Sequence, residues 1–85
     1  MEAALQALVV AIARGAKVHR DPNVSLTRTT RVVEDVRGDA MKVSEVTEDA
    51  FFWIVDGVVL VHPDRWDAFM TIMNEVERKL AELAR

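Results

Sequence analysis

Apolar positions recur along the chain with two different periods. Leu5, Leu8, Val9 and Ile12 fall at i, i+3, i+4 and i+7, which predicts an amphipathic helix over residues 2–14. Gly15 stands where a left-handed C-terminal cap is expected. Residues 17–23 mix charge with Asp21-Pro22-Asn23, a composition that breaks helices and starts turns. From Val24 to Val36 the period becomes two: Val24, Leu26, Thr30, Val32 and Val36 alternate with polar residues, interrupted at Arg28 and Glu34. This predicts a long half-buried strand with bulges. Arg37-Gly38-Asp39 spells a cell-adhesion tripeptide, but between two strand-like segments it reads as a turn. A second strand is expected from Ala40 to Thr47, followed by a turn at Glu48-Asp49.

Residues 51–62 predict a β-hairpin that is apolar on both faces. Asp56-Gly57 suits a type I′ turn, because both of its central positions need φ > 0. That turn sets Val55 opposite Val58, Trp53 opposite Leu60 and Phe51 opposite His62 on one side, with Ile54 opposite Val59 and Phe52 opposite Val61 on the other. Phe52, Ile54, Val59 and Val61 have the branched character of a face pressed under helices. Phe51, Trp53, Leu60 and His62 make a more aromatic face, assigned to the outside. A small antiparallel sheet normally wets one face, so a second apolar face calls for another copy of the chain or a flat apolar ligand.

His62-Pro63-Asp64 predicts the start of a last helix, with proline where a missing N–H costs nothing and an acid at the positive end of the dipole. Trp66, Phe69, Met73, Val76, Leu80 and Leu83 follow at spacings of three and four, a heptad seam. Glu75 and Lys79 add an i, i+4 pair. Two readings of the seam stand side by side. Its last turns project and join another chain through Phe69, Met73, Val76, Leu80 and Leu83, giving a dimer or tetramer, or else Met70 and Ile72 widen it into one stripe packed on the sheet. The expected fold is a single α+β domain over residues 1–85. It has an N-terminal helix, a four-stranded antiparallel β-meander and a long C-terminal helix, with both helices on one face of the sheet.

Composition narrows the class. At 51% hydrophobic the chain is not disordered, and its 85 residues lie near the size where one core is marginal and self-association supplies burial. The lack of cysteine suits a cytoplasmic protein, and one Gln with two Asn resembles a thermophile's composition. Ala3–Ala13 is apolar apart from Gln6, but it lacks a basic start and is too short to cross a bilayer, so no membrane role is expected. The net charge of −3 is polarised. Residues 14–42 hold seven basic and four acidic side chains, +3, whereas residues 43–85 hold four and nine, −5.

The groupings that usually carry catalysis are missing from the sequence. Ser25 and Ser44 are the only serines, there is no tyrosine, and His19 and His62 have no metal-site or nucleophile companions. Glu34-Asp35 and Glu48-Asp49 are adjacent pairs whose members point to opposite faces of a strand. The expectation is a non-enzyme without cofactor, metal or small-molecule substrate. His62, just before a proline and a helix start, reads as a boundary cap. His19 reads as solvent-exposed.

Flat apolar platforms beside positive charge are what single-stranded nucleic acid requires, each base-on-aromatic contact contributing about 1–3 kcal/mol. Phe51, Trp53 and Trp66 are the candidate platforms, and Lys17, Arg20, Arg28, Arg31 and Lys42 the candidate phosphate contacts. The run Asp56-Gly57-Val58-Val59-Leu60-Val61-His62-Pro63-Asp64-Arg65-Trp66, with the amphipathic helix through Arg78-Lys79-Leu80, resembles the C-terminal half of the positive cofactor four transcriptional coactivators. The layout also resembles the archaeal single-stranded-DNA-binding proteins called ThermoDBP. The resemblance covers about thirty residues in sequence, and the chain lacks the coactivators' basic, glycine-containing entry to the last strand. It implies an antiparallel sheet that binds single-stranded DNA, with Trp66 as a DNA contact. The leading expectation is a homo-oligomeric binder of single-stranded nucleic acid, DNA before RNA. The alternative is a protein-interaction or oligomerisation adaptor.

Overall fold

The computed structural model describes residues 2–36, 38 and 40–84. Helix α1 (Glu2–Ala13) is followed by Gly15 at φ +84°. The N–H groups of Gly15 and Ala16 donate to Ile12 and Ala11, the paired bonds of a Schellman cap. Five strands come next: β1 (Val18–Arg20), β2 (Thr27–Asp35), β3 (Met41–Asp49), β4 (Trp53–Val55) and β5 (Val58–Val61). A 3-10 turn over Pro63–Arg65 leads into helix α2 (Trp66–Leu83).

The α+β class and the order of helices and strands are as expected, but the sheet is not one four-stranded antiparallel meander. The strands divide into a three-stranded sheet of order β1-β5-β4 and a separate β2-β3 ribbon. Two local causes are visible. Ala50 and Phe52 are both buried, so the chain turns inward after β3 instead of continuing in plane. Phe52 then meets Phe69 edge-on, with ring centroids 6.0 Å apart. This ends β3 before β4 begins and leaves the second edge of β5 open. Residues 18–20, expected as loop, fill that edge as β1, running parallel to β5 with Val18 opposite Val59. The Asp21-Pro22-Asn23 turn survives just beyond, closed by the Asn23 N–H on Asp21 Oδ1 at 2.9 Å. The expected strand from Val24 begins only at Thr27, and Phe51, Phe52 and His62 lie outside the ladders. Of the expected Arg37-Gly38-Asp39 turn, Arg37 and Asp39 lie outside the described residues. The ribbon closes there with the Val36 N–H on Ala40 O at 2.8 Å.

The β4–β5 hairpin has the expected register, Trp53 with Leu60, Ile54 with Val59 and Val55 with Val58. Asp56 at φ +51° and Gly57 at φ +76° supply the two left-handed positions. Strand alternation then drives Val59 and Val61 into a core shared with Leu8, Val9, Phe52, Phe69 and Val76. Both helices therefore cover one face of the small sheet.

The seam of α2 is largely absorbed by this core. Phe69 and Val76 are buried, Trp66, Ile72, Met73 and Leu80 pack against them, and only Leu83 stands clear at 76% exposure. The proposed interface at Phe69 and Val76 is thus already filled from within the chain; of the two residues expected to widen the stripe, Ile72 packs against the core and Met70 stands 42% exposed. Glu75 takes Arg78 at i+3 as its hydrogen-bonded partner rather than Lys79. That bond holds the Glu75 carboxyl below its ordinary range, with the charge of Lys79 a smaller contribution.

The ribbon stands apart from the helices and the small sheet. Its β2-β3 register runs from Thr27 opposite Asp49 to Asp35 opposite Met41. The radius of gyration is 15.9 Å, against about 12 Å for a compact chain of this length. Phe69→Ala should lower unfolding free energy by about 3–5 kcal/mol, whereas Leu83→Ala should change it by less than about 0.5 kcal/mol in urea titrations. Equal effects would mean that the seam is not the inward face.

Candidate nucleic-acid interface

The face of the three-stranded sheet away from the helices carries His19, Leu60 and Trp53 side by side across β1, β5 and β4. Alternation places Val58 and Val55 in the neighbouring row. Lys17 is held against β5 by the Val59 N–H on its carbonyl at 2.8 Å, and it precedes His19 by two residues, at the edge of the same face. Trp53 and Leu60 are half-buried, while Lys17, His19 and Val55 are exposed.

Three arginines sit over aromatic rings. The Arg28 guanidinium carbon lies 4.4 Å from the centroid of Trp53, that of Arg20 lies 4.2 Å from Trp66, and that of Arg65 lies 5.5 Å from Phe51. Such contacts contribute about 0.5–1 kcal/mol each at exposed sites. The structure therefore joins Arg28 to Trp53 and Arg20 to Trp66, two pairings among the residues singled out from the sequence. Trp66 also packs on Phe69 with centroids 5.9 Å apart, so one part of its ring system belongs to the core.

Arg31 and Lys42 do not join this group. Both lie on the ribbon, each directly opposite an acid: Arg31 faces Glu45 and Lys42 faces Glu34. The Arg31–Glu45 approach is 3.9 Å between two exposed side chains. Arg28 likewise faces Glu48 in the ladder. Positive charge on the ribbon is thus locally balanced, which weakens it as a phosphate track.

The base of the ribbon is fastened by the same residues that form the aromatic pairs. Trp53 Nε1 donates to Ser25 O at 2.9 Å, and Arg28 Nη2 donates to Phe52 O at 3.2 Å. Arg65 Nη2 donates to Leu26 O at 3.4 Å and to Asp49 Oδ1 at 3.1 Å, so it binds both ends of the ribbon to the 3-10 turn. Its Nε is buried with no partner among the described residues. Arg65 was not singled out from the sequence. The one available signal was its place in a Pro-acid-Arg turn, where the helix start fixes its direction.

His62 acts as the expected boundary residue. Its Nδ1 accepts the Asp64 N–H at 3.0 Å, capping the 3-10 turn. The same Nδ1 lies 3.8 Å from Asp64 Oδ2. Among the described residues no three His, Cys, Asp or Glu side chains gather in a metal-binding arrangement, and no helix is long and apolar enough to cross a membrane. Comparisons with family models, with curated proteins and with solved structures find no match to this chain.

Arg65→Met removes hydrogen bonds to the Leu26 carbonyl and the Asp49 carboxylate and is expected to cost about 1.5–3 kcal/mol. Arg31→Met should cost less than about 1 kcal/mol, as an exposed pair does. Urea unfolding of the two variants checks the contrast, and equal losses would remove the fastening role from Arg65.

Proposed function

We propose that the chain is a non-catalytic binder of single-stranded nucleic acid, DNA before RNA, acting in the cytoplasm. The observation that carries this reading is the Arg28 guanidinium over Trp53, on the sheet face opposite the one that packs with α1 and α2. A guanidinium lying on an indole offers one flat, cationic surface against which a base can stack while its phosphate is neutralised. Lys17 and His19 extend the basic and polar border of that face; Arg20 over Trp66 is a second pair, in the row of Val61 on the other side of the sheet. The cysteine-free composition suits a reducing compartment. The resemblance of residues 56–66 to the positive cofactor four coactivators supports the same class of ligand.

The proposal is narrower than the sequence alone would make it. Trp53, Arg28 and Lys17 form its centre. Phe51, covered by Arg65, and Trp66, partly committed to the core, are secondary. Arg31 and Lys42 stand on the ribbon opposite Glu45 and Glu34; Arg28 also has Glu48 opposite it, and its place in the centre rests on its position over Trp53 rather than on net charge.

One observation favours the adaptor reading instead. The ribbon exposes Val33, Val43 and Met41 at 53%, 56% and 60%, a surface suited to protein rather than to nucleic acid.

Oligo-dT added at low salt should quench tryptophan fluorescence. The logarithm of the binding constant should fall against the logarithm of salt with a slope near −2, as for about three neutralised phosphates on a single strand. Lys17→Glu, which touches no fastening contact, should weaken binding several-fold, and Trp53→Ala should abolish it with the far-ultraviolet circular dichroism intact. A flat titration at low salt contradicts the reading and leaves the adaptor.

A further inference from the structure

The β2-β3 ribbon is a two-stranded sheet whose outer edges pair with no other strand among the described residues. A two-stranded hairpin is marginal by itself in water, and each of these strands is nine residues long. Its register and its closing bonds show which backbone groups are free. Val36 bonds to Ala40 and Ala50 bonds to Leu26, so even-numbered positions of the β2 side exchange hydrogen bonds with β3. The N–H and C=O groups of Arg31, Val33 and Asp35 therefore point to the open edge of β2, along which no strand pairs among the described residues.

The side chains along that edge are self-complementary. β2 carries Arg28 and Arg31 in its first half and Glu34 and Asp35 in its second. Laid antiparallel on itself about Val33, it sets Val33 against Val33 of the second copy, and Arg31 against Asp35 in two symmetry-related pairs. Arg31 would then lie between Glu45 of its own chain and Asp35 of the other. Asp35 faces only Met41 within its own chain. The three residue pairs of this register exchange about six backbone hydrogen bonds. Because Val43 faces Val33 in each ribbon, one face of the combined sheet acquires a continuous row of four valines. The bases of the two ribbons fall at opposite ends of the pairing, about 40 Å apart, so the helical parts of the two copies do not collide.

The outer edge of β3 is a poor competitor. Pairing about its middle residue would set Glu45 against Glu45, and pairing about Val43 would set Met41 against Glu45 and Lys42 against Ser44, joining no opposite charges within the strand.

We propose that the chain forms a two-fold dimer by edge pairing of β2 with β2 of a second copy, centred on Val33 and selected by the Arg31–Asp35 pairs. This differs from an interface on α2, and it does not depend on nucleic-acid binding. Sedimentation equilibrium of the full chain should give twice the 9.6 kDa monomer mass. Val33→Pro removes an N–H that faces the open edge and not β3, so the ribbon should persist while the dimer is lost. Asp35→Arg places arginine against Arg31 and should weaken the dimer by about tenfold or more, and adding Arg31→Glu and Glu45→Arg, which reverses the whole Glu45–Arg31–Asp35 row, should restore it. A wild-type chain that stays monomeric up to its solubility limit overturns the proposal. So does a dimer that Asp35→Arg leaves unchanged, since that variant alters no backbone group and keeps the helical core.

Discussion

The turn at Asp56-Gly57 is the constraint from which the rest of the body follows. Its two left-handed residues fix the hairpin register, and a slip of one residue would exchange the faces of β5. In the register observed, Val59 and Val61 are buried beneath α1 and α2, while Leu60 and Trp53 are delivered to the opposite face. The same alternation thus makes both the core and the surface on which the functional reading rests. Phe52 extends the inward row beyond β4, and its contact with Phe69 ties the hairpin to the last helix.

A core of this size leaves a long segment outside it. The chain leaves β1, runs out and back along the ribbon, and re-enters at Ala50. What holds the ribbon to the body is a set of polar contacts at its base, from Arg28, Trp53 and Arg65 to backbone carbonyls and to Asp49. These are fewer and more exposed than the apolar contacts under β5. The Arg28–Trp53 pair consequently has two roles: it anchors the ribbon, and it presents flat cationic surface beside Leu60 and His19. A ligand that stacked there would sense, and load, the joint between ribbon and body.

Local chemistry made part of this legible from sequence. Gly15 after an apolar stripe, Asp56-Gly57 between apolar runs and His62-Pro63 before a heptad each act through a few neighbouring residues, and each lies where expected. β1 could not be read in the same way. Three residues, Val18-His19-Arg20, are too few to show alternation, and their partner β5 lies forty residues on, in a parallel pairing that no turn signals. The end of β3 falls later than the pattern places it: the turn expected at Glu48-Asp49 is strand through Asp49, paired with Arg28 and Thr27, and the chain bends inward only at the buried Ala50 and Phe52. At the site, residue types were readable and partners were not. Arginine near tryptophan was visible in the composition, but the cross-strand acids that neutralise Arg31 and Lys42 depend on the ribbon's register. Helix α2 shows the same limit, since a seam at spacings of three and four reads alike whether its partner is the chain's own sheet or another copy.

One small body, organised on β5, holds the stability, while the ribbon is an appendage joined through its base. Amide hydrogen exchange resolved by residue, at concentrations low enough for the monomer, tests it most directly. The account predicts that the N–H groups of Val59 and Leu60 exchange only through global unfolding and that those of β2 and β3 exchange orders of magnitude faster. Ribbon amides as slow as those of β5 in the monomer would contradict it.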